Sequence, residues 1–228
     1  MAGILIIAEH MDGALRDITG EMIGAATALK DPLGGPLVVA VIGDEDGSLA
    51  ATANLEGVDE VISIAAPHAH FDAALYEEAA CALAEERTPS AILIAHSAAG
   101  MAYGPAVAAR LGSGFASDVF DVSAESGELN ATRGGYGGKV NIELGFAGKG
   151  CVTLMLRGAT FKAPEAAGSA AITPLSPDFS ALAGQSTHLE YQPAPPADVD
   201  IAKADFIISV GRAVQDDKNI PTFSALAD

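Results

Sequence analysis

Three short stretches carry residue types that could do chemistry: His96-Ser97, the glycine cluster Gly134-Gly-Tyr-Gly-Gly138, and Gly211-Arg212. An imidazole beside a hydroxyl suggests hydrolysis, with the ring taking the serine proton. Neighbouring side chains rarely align as base and nucleophile, and no Gly-x-Ser-x-Gly elbow is present. Position favours a helix cap or a contact surface for this pair. The glycine cluster continues Gly138-Lys139-Val140 and so lacks a Gly-Lys-Ser/Thr ending. It neither follows the first strand nor opens a helix, and it reads as a hairpin turn. Ser209-Val-Gly-Arg212 sets backbone N–H groups and a guanidinium at a strand-to-helix turn, which suits an anionic diphosphate. Gly211 and Arg212 are therefore the candidate binding residues.

Other groups point to structure. Arg110 ends a helical stretch, Arg157 ends an apolar strand, and Arg133 adjoins the glycine cluster; ion pairing with the many acids is the reading for all three. Asp118 and Asp121 sit in too exposed a pattern for a catalytic pair. His68 and His70 could share a metal from a loop, but a solvated pair is the favoured reading. Cys81 and Cys151 are isolated and make neither a metal site nor a disulfide framework.

The elements that must position these groups alternate. Apolar runs at Ile4–Ala8, Pro36–Gly43, Glu60–Ile64 and Ala91–Ala95 read as buried parallel strands. Helical patterns at Leu15–Leu29 (ending before Pro32), Ser48–Leu55, Asp72–Glu86 and Tyr103–Leu111 lie between and after them. This predicts an α/β fold with a doubly wound parallel sheet. Ser117–Val122, Leu129–Arg133, Lys139–Leu144 and Cys151–Leu156 follow as short strands between Gly-rich turns, an added β-meander on the sheet. Residues 163–202 hold five acids and no Lys or Arg. They read as a Pro/Ala-rich linker or edge segment, with an edge strand around Leu189–Gln192 and a stiff Pro193–Pro196 stretch. Asp205–Ser209 then predicts a strand opening a second, incomplete α/β unit, because a βαβ unit takes ~30 residues or more. The expected organisation is 1–162, an N-terminal α/β domain; 163–202, the linker or edge segment; and 203–228, the start of a second domain.

With 12 Lys and Arg against 30 Asp and Glu, the net charge is −18. That argues against nucleic acid as a partner, since phosphate binding draws on clustered cations. No apolar run approaches the ~20 residues that span a bilayer, so direct membrane insertion is not expected. The start lacks a basic region ahead of its apolar run and reads as a first strand, which places the protein in the cytoplasm.

Taken in order, Ile4-Leu-Ile-Ile-Ala-Glu-His10, Ala95-His-Ser-Ala-Ala-Gly100, Gly104-Pro-Ala-Val-Ala-Ala-Arg-Leu-Gly112, Ser117-Asp-Val119, Arg133–Gly138, Leu156-Arg-Gly-Ala-Thr-Phe161 and Lys203–Arg212 resemble the alpha subunits of electron transfer flavoproteins. The resemblance covers nearly the whole chain. It implies a Rossmann-like, adenine-nucleotide-hydrolase-like first domain without a cofactor, packed on a beta subunit that carries AMP. It implies FAD in the second domain, with Gly211 and Arg212 matching the turn that meets the flavin diphosphate. Arg133 and Arg157 would belong to the scaffold or subunit interface. The implied partners are the beta subunit, an acyl-CoA-type dehydrogenase as donor and a quinone reductase or similar acceptor. The protein would then be an electron carrier rather than a turnover enzyme. The turn reads Val-Gly-Arg where the family more usually has Gly-Gly-Arg, and the family's further flavin-binding motifs do not occur in these 228 residues. The alternative is a cofactor-free, truncated alpha-subunit-like scaffold or interaction module.

Overall fold

The first apolar run folds as β1 (Ile4–Ile7), buried on both faces. A hairpin follows, β2 (His10–Met11) and β3 (Ala14–Leu15), turning at Asp12 and Gly13 with φ of 52° and 74°. Asp-Gly is the dipeptide that such a two-residue turn demands, since both central residues need positive φ. Then come α1 (Asp17–Leu33), β4 (Leu37–Ile42), α2 (Ser48–Ala53), β5 (Glu60–Ile64), α3 (Ala73–Arg87), β6 (Ala91–Ala95) and α4 (Ala98–Leu111). Strands β7 (Gly114–Glu125), β8 (Glu128–Gly135), β9 (Val140–Gly145), β10 (Val152–Leu156) and β11 (Ala171–Leu175) complete the sheet, and α5 (Ile220–Ala227) lies near the end of the sequence. These assignments come from a computed structural model that describes residues 3–182 apart from 45 and 69, together with 188–190, 192, 204 and 206–227. The chain divides into two compact units, Met1–His188 and Leu189–Asp228.

The nine-stranded sheet of the first unit runs β11-β5-β4-β1-β6-β10-β7-β8-β9. All neighbours from β11 to β7 are parallel, while β7, β8 and β9 pair antiparallel. Alternate β1 residues face opposite layers: Ile4 and Ile6 join Met22, Ile23 and Leu29 of α1, while Leu5 and Ile7 join Leu75, Tyr76 and Leu83 of α3. Each fully buried Leu or Ile contributes about 1.5–3 kcal/mol through apolar area removed from water. Two such layers explain why these strands read as unbroken apolar runs.

Several details differ from the sequence reading. Helix α1 passes through Pro32 and stops at Gly34, whose φ is 67° and whose N–H donates to the Lys30 carbonyl at 2.9 Å. A proline one residue from the end removes a single helical bond, so the last turn tolerates it. Strand β10 is no part of the meander; it inserts between β6 and β7, parallel to both. The edge strand lies at Ala171–Leu175 beside β5, where Pro174 is harmless because the outer side of an edge needs no donor. Asn54 holds the approach to it, donating to the Ala170 carbonyl and accepting from the Ala170 N–H at 2.8 and 3.1 Å.

In the second unit, the expected strand at Asp205–Ser209 is not formed among the described residues 206–209. Phe206 and Ile207 are exposed there, and the described residues of this unit offer no neighbouring strand. Residue 205 and the Pro193–Pro196 stretch lie outside the described residues, as does residue 191 of the expected Leu189–Gln192 edge; residues 189, 190 and 192 form no strand.

Candidate functional site

The strand order reverses between β1 and β6, and a cleft of about 590 Å³ opens at their carboxyl ends. Such a reversal is where open α/β sheets place ligands. Glu9 follows β1 and Ser97 follows β6; the Ser97 hydroxyl donates to Glu9 Oε2 and accepts from the Gly100 N–H at 2.9 Å. Ser97 thus caps α4, as its position suggested. Glu9 lies 88 residues away and was invisible to local pattern reading.

Asp17 and Glu21 of α1 also line this cleft, with Arg16 beside them. Glu21 accepts from the N–H groups of Ala159, Thr160 and Phe161 at 3.0, 2.9 and 3.2 Å. That explains the Arg157–Phe161 motif physically: a helix carboxylate gathers three backbone donors of the loop after β10, whose Ala159 has a φ of 57°. Three carboxylates around one cleft oppose a phosphate, because like charges in a partly dry crevice repel.

His96 does not serve Ser97. Its Nε2 stands 3.8 Å from Asp118 Oδ1, and its buried Nδ1 has no hydrogen-bond partner among the described residues. Asp118 has a φ of 61° at an irregularity in β7 and takes a forked pair from Arg157 Nε and Nη2 at 2.8 and 2.7 Å. The Arg157 guanidinium holds the Asp118 carboxyl below the ordinary carboxylate range, with His96 and Arg133 adding to the effect. Arg157 also lies over the Phe120 ring, 5.0 Å from its centre. Arg110 pairs with Glu78 at 2.7 Å. Ion pairing is therefore correct for Arg110 and Arg157. Arg133 is the exception, making no ion pair within 4 Å among the described residues.

The His68 and His70 rings stack at 3.6 Å, and His188 stacks on His70 at 4.1 Å. Face-to-face rings do not converge their nitrogens on one point, and no metal-holding group occurs among the described residues. Burial lowers the His70 imidazole below 6.5, His68 and His188 lower it further, and Asp72 opposes them. The fold thus favours the neutral ring. Its contribution to stability is complete above pH 6.5 and is lost as pH falls through the lowered folded value. A proton NMR titration is expected to place the His70 midpoint below 6.5; a midpoint at or above that value would contradict the stack. Burial pushes the Cys81 and Cys151 thiols up to about 11, so neither is a ready nucleophile.

Gly211 and Arg212 lie in the second unit. Gly211 is extended, and a side chain there would meet nothing within 4 Å. Arg212 opens a 3-10 turn to Val214, and the following helix begins only at Ile220. The turn is real, but it is not the strand-to-helix junction expected. Arg212 is exposed and makes no ion pair among the described residues, so its guanidinium is open to an anion.

A doubly wound sheet whose switch-point cleft is lined by carboxylates, followed by a unit with an exposed Gly-Arg turn, defines a Rossmann-like α/β protein. A family model described as the electron transfer flavoprotein domain matches residues 4–180. The electron transfer flavoprotein subunit alpha of Methylophilus methylotrophus is 38% identical over all of this chain and 71% of its own length. The subunits alpha of Mycobacterium leprae and Bacillus subtilis are 30% and 28% identical, over 100% and 99% of this chain and 70% and 69% of theirs. The chain belongs to the electron transfer flavoprotein family.

Proposed function

We propose that this chain acts as the alpha subunit of an electron transfer flavoprotein. It carries electrons from acyl-CoA-type dehydrogenases to a quinone reductase or similar acceptor, as a cytoplasmic heterodimer with a beta subunit. The observation that supports this most is the 38% identity to an alpha subunit across the entire chain. No described helix is long and apolar enough to cross a membrane.

FAD is the redox group in this reading, and when bound it supplies the electron uptake and release. Gly211 and Arg212 fit its diphosphate: the glycine leaves open space for close approach, and the guanidinium offers paired donors. A flavin needs a pocket that buries most of its surface. The described residues of the second unit are mostly exposed, so further walls must come from elsewhere. In this reading AMP belongs to the beta subunit, as the family resemblance implies.

The exposed Phe206 and Ile207 favour a second reading, in which the chain is a cofactor-free docking module. Arg212→Ala in the co-purified heterodimer separates the two. The carrier reading expects flavin retention to fall about 10-fold with subunit pairing intact, as loss of a charged hydrogen bond implies. Equal flavin content in both proteins would remove Arg212 from the site.

A further inference from the structure

We propose that the cleft between the carboxyl ends of β5 and β11 binds a small organic amine, its apolar body seated on Leu75 and Phe179 and its protonated nitrogen held by Asp72. This cleft shares no residue with the one at the β1–β6 switch point.

Two parallel strand ends build it. Strand β11 pairs with β5 from Ala171 beside Glu60 to Leu175 beside Ile64, so both strands end at the same level. Residues 65–68 leave β5, residues 176–182 leave β11, and the two segments enclose about 410 Å³. The Ala65 N–H donates to the Leu175 carbonyl at 2.9 Å and ties the walls together at their base. Leu75 of α3 and Phe179 are 4% and 6% exposed and belong to the α3 core layer. Ala66 and Leu182 pack against the same layer. The volume falls within the ~300–1,000 Å³ of ordinary small-molecule sites, which likewise combine apolar walls with a few polar groups.

Those polar groups select the charge of the ligand. No Lys or Arg lines the cleft, and none occurs in residues 163–202. A helix N-terminus would favour an anion. At α3 that place is taken, because Asp72 Oδ1 accepts from the N–H groups of Ala74 and Leu75 at 2.9 and 3.3 Å. The capping carboxylate fixes a negative charge at the cleft, where an entering anion would be repelled.

His68, also in the wall, adds an acceptor. Its Nδ1 lies 3.1 Å from the His70 carbonyl oxygen, which can only accept. Nδ1 is therefore the donor, and Nε2 of the neutral ring is left as an acceptor. Stacking on His70 holds that ring in place. A carboxylate and an imidazole acceptor around an apolar floor call for a ligand that brings donors and positive charge. An ammonium group supplies both, and a net charge of −18 draws cations toward the chain.

Backbone-amide NMR of the whole chain tests this with two probes of similar shape and opposite charge, phenethylamine and 3-phenylpropionate. Phenethylamine is expected to shift the signals of the two walls and the start of α3, saturating with a Kd of about 1 mM, as a fragment of this size supports. The acid is expected to bind at least about 10-fold more weakly. Asp72→Asn keeps an oxygen to cap α3 and removes the charge, so it should retain the wild-type melting temperature and lose about 10-fold in amine affinity. Ala65→Phe, which fills the cleft from an exposed position, should abolish the shifts. Equal binding of the two probes by the wild-type chain would overturn the amine assignment without any variant. Wild-type affinity in Asp72→Asn would do the same, and shifts that are absent, unsaturable or scattered over the surface would remove the site.

Discussion

Gly100→Ala is expected to destabilise the first unit by about 3 kcal/mol, the upper range for overpacking. A Cβ at this position would stand 1.9 Å from the Ala95 carbonyl oxygen, 3.1 Å from its carbon and 3.2 Å from Ile94 Cγ2. The first of these contacts is with backbone, and β6 is fixed between β1 and β10. Helix α4 would have to move away, taking the Ser97–Glu9 contact with it. The gain in helix propensity from glycine to alanine, about 1 kcal/mol, does not offset this. Gly104→Ala, one turn along, meets the flexible Met155 Sδ at 3.1 Å and is expected to stay within about 1 kcal/mol of wild type. Urea unfolding midpoints decide it. Equal midpoints for Gly100→Ala and wild type would mean that α4 does not lie this close to β6.

Asp44→Ala is expected to cost a similar amount, about 3 kcal/mol, for a different reason. Asp44 is 3% exposed, and its carboxylate accepts from the N–H groups of Leu49 and Ala50 at 3.1 and 2.9 Å. The Ser63 hydroxyl approaches the Asp44 carboxylate at 3.2 Å and its carbonyl at 3.1 Å. Removing the carboxylate strands two backbone donors at the start of α2 in a buried place, where each unmet group costs about 1–3 kcal/mol. Asp44→Asn keeps one acceptor oxygen and should lose less. Because Ser63 shares the network, Asp44→Asn and Ser63→Ala should not add in a double-mutant cycle. Thermal melts of the four proteins measure this, and simple additivity would contradict the shared network.

The sheet was legible where both faces are buried. Strands β1, β4 and β6 are short apolar runs between turn residues, and such runs have few other ways to fold. Strand β10 shows what pattern reading can and cannot see. Val152-Thr-Leu-Met-Leu156 is buried throughout, whereas β7 alternates over its outer half. That contrast marks β10 as a central strand. Its insertion between β6 and β7, however, depends on pairing across many residues, which no local signal reports. The edge strand β11 carries Pro174 and four exposed positions, so its sequence looks like a loop.

At the candidate site, the Ser97 cap followed from one residue and its neighbours. The Glu9–Ser97 contact, the Glu21 carboxylate under the 159–161 loop and the His188 ring on His70 all join residues far apart in sequence. The sequence named the participants' types without showing their company. For Arg133, composition pointed to an ion pair that the fold does not close: no acid lies within 4 Å among the described residues, although its charge still acts on Asp118.

The central claim is that this chain completes a flavin-carrying heterodimer. Its most direct test is the absorbance spectrum of the chain co-purified with its beta subunit, before and after chemical reduction. The account predicts oxidised flavin bands that bleach on reduction, at about one flavin per heterodimer. A colourless complex of the two subunits would contradict electron transfer through this chain and leave it a docking module.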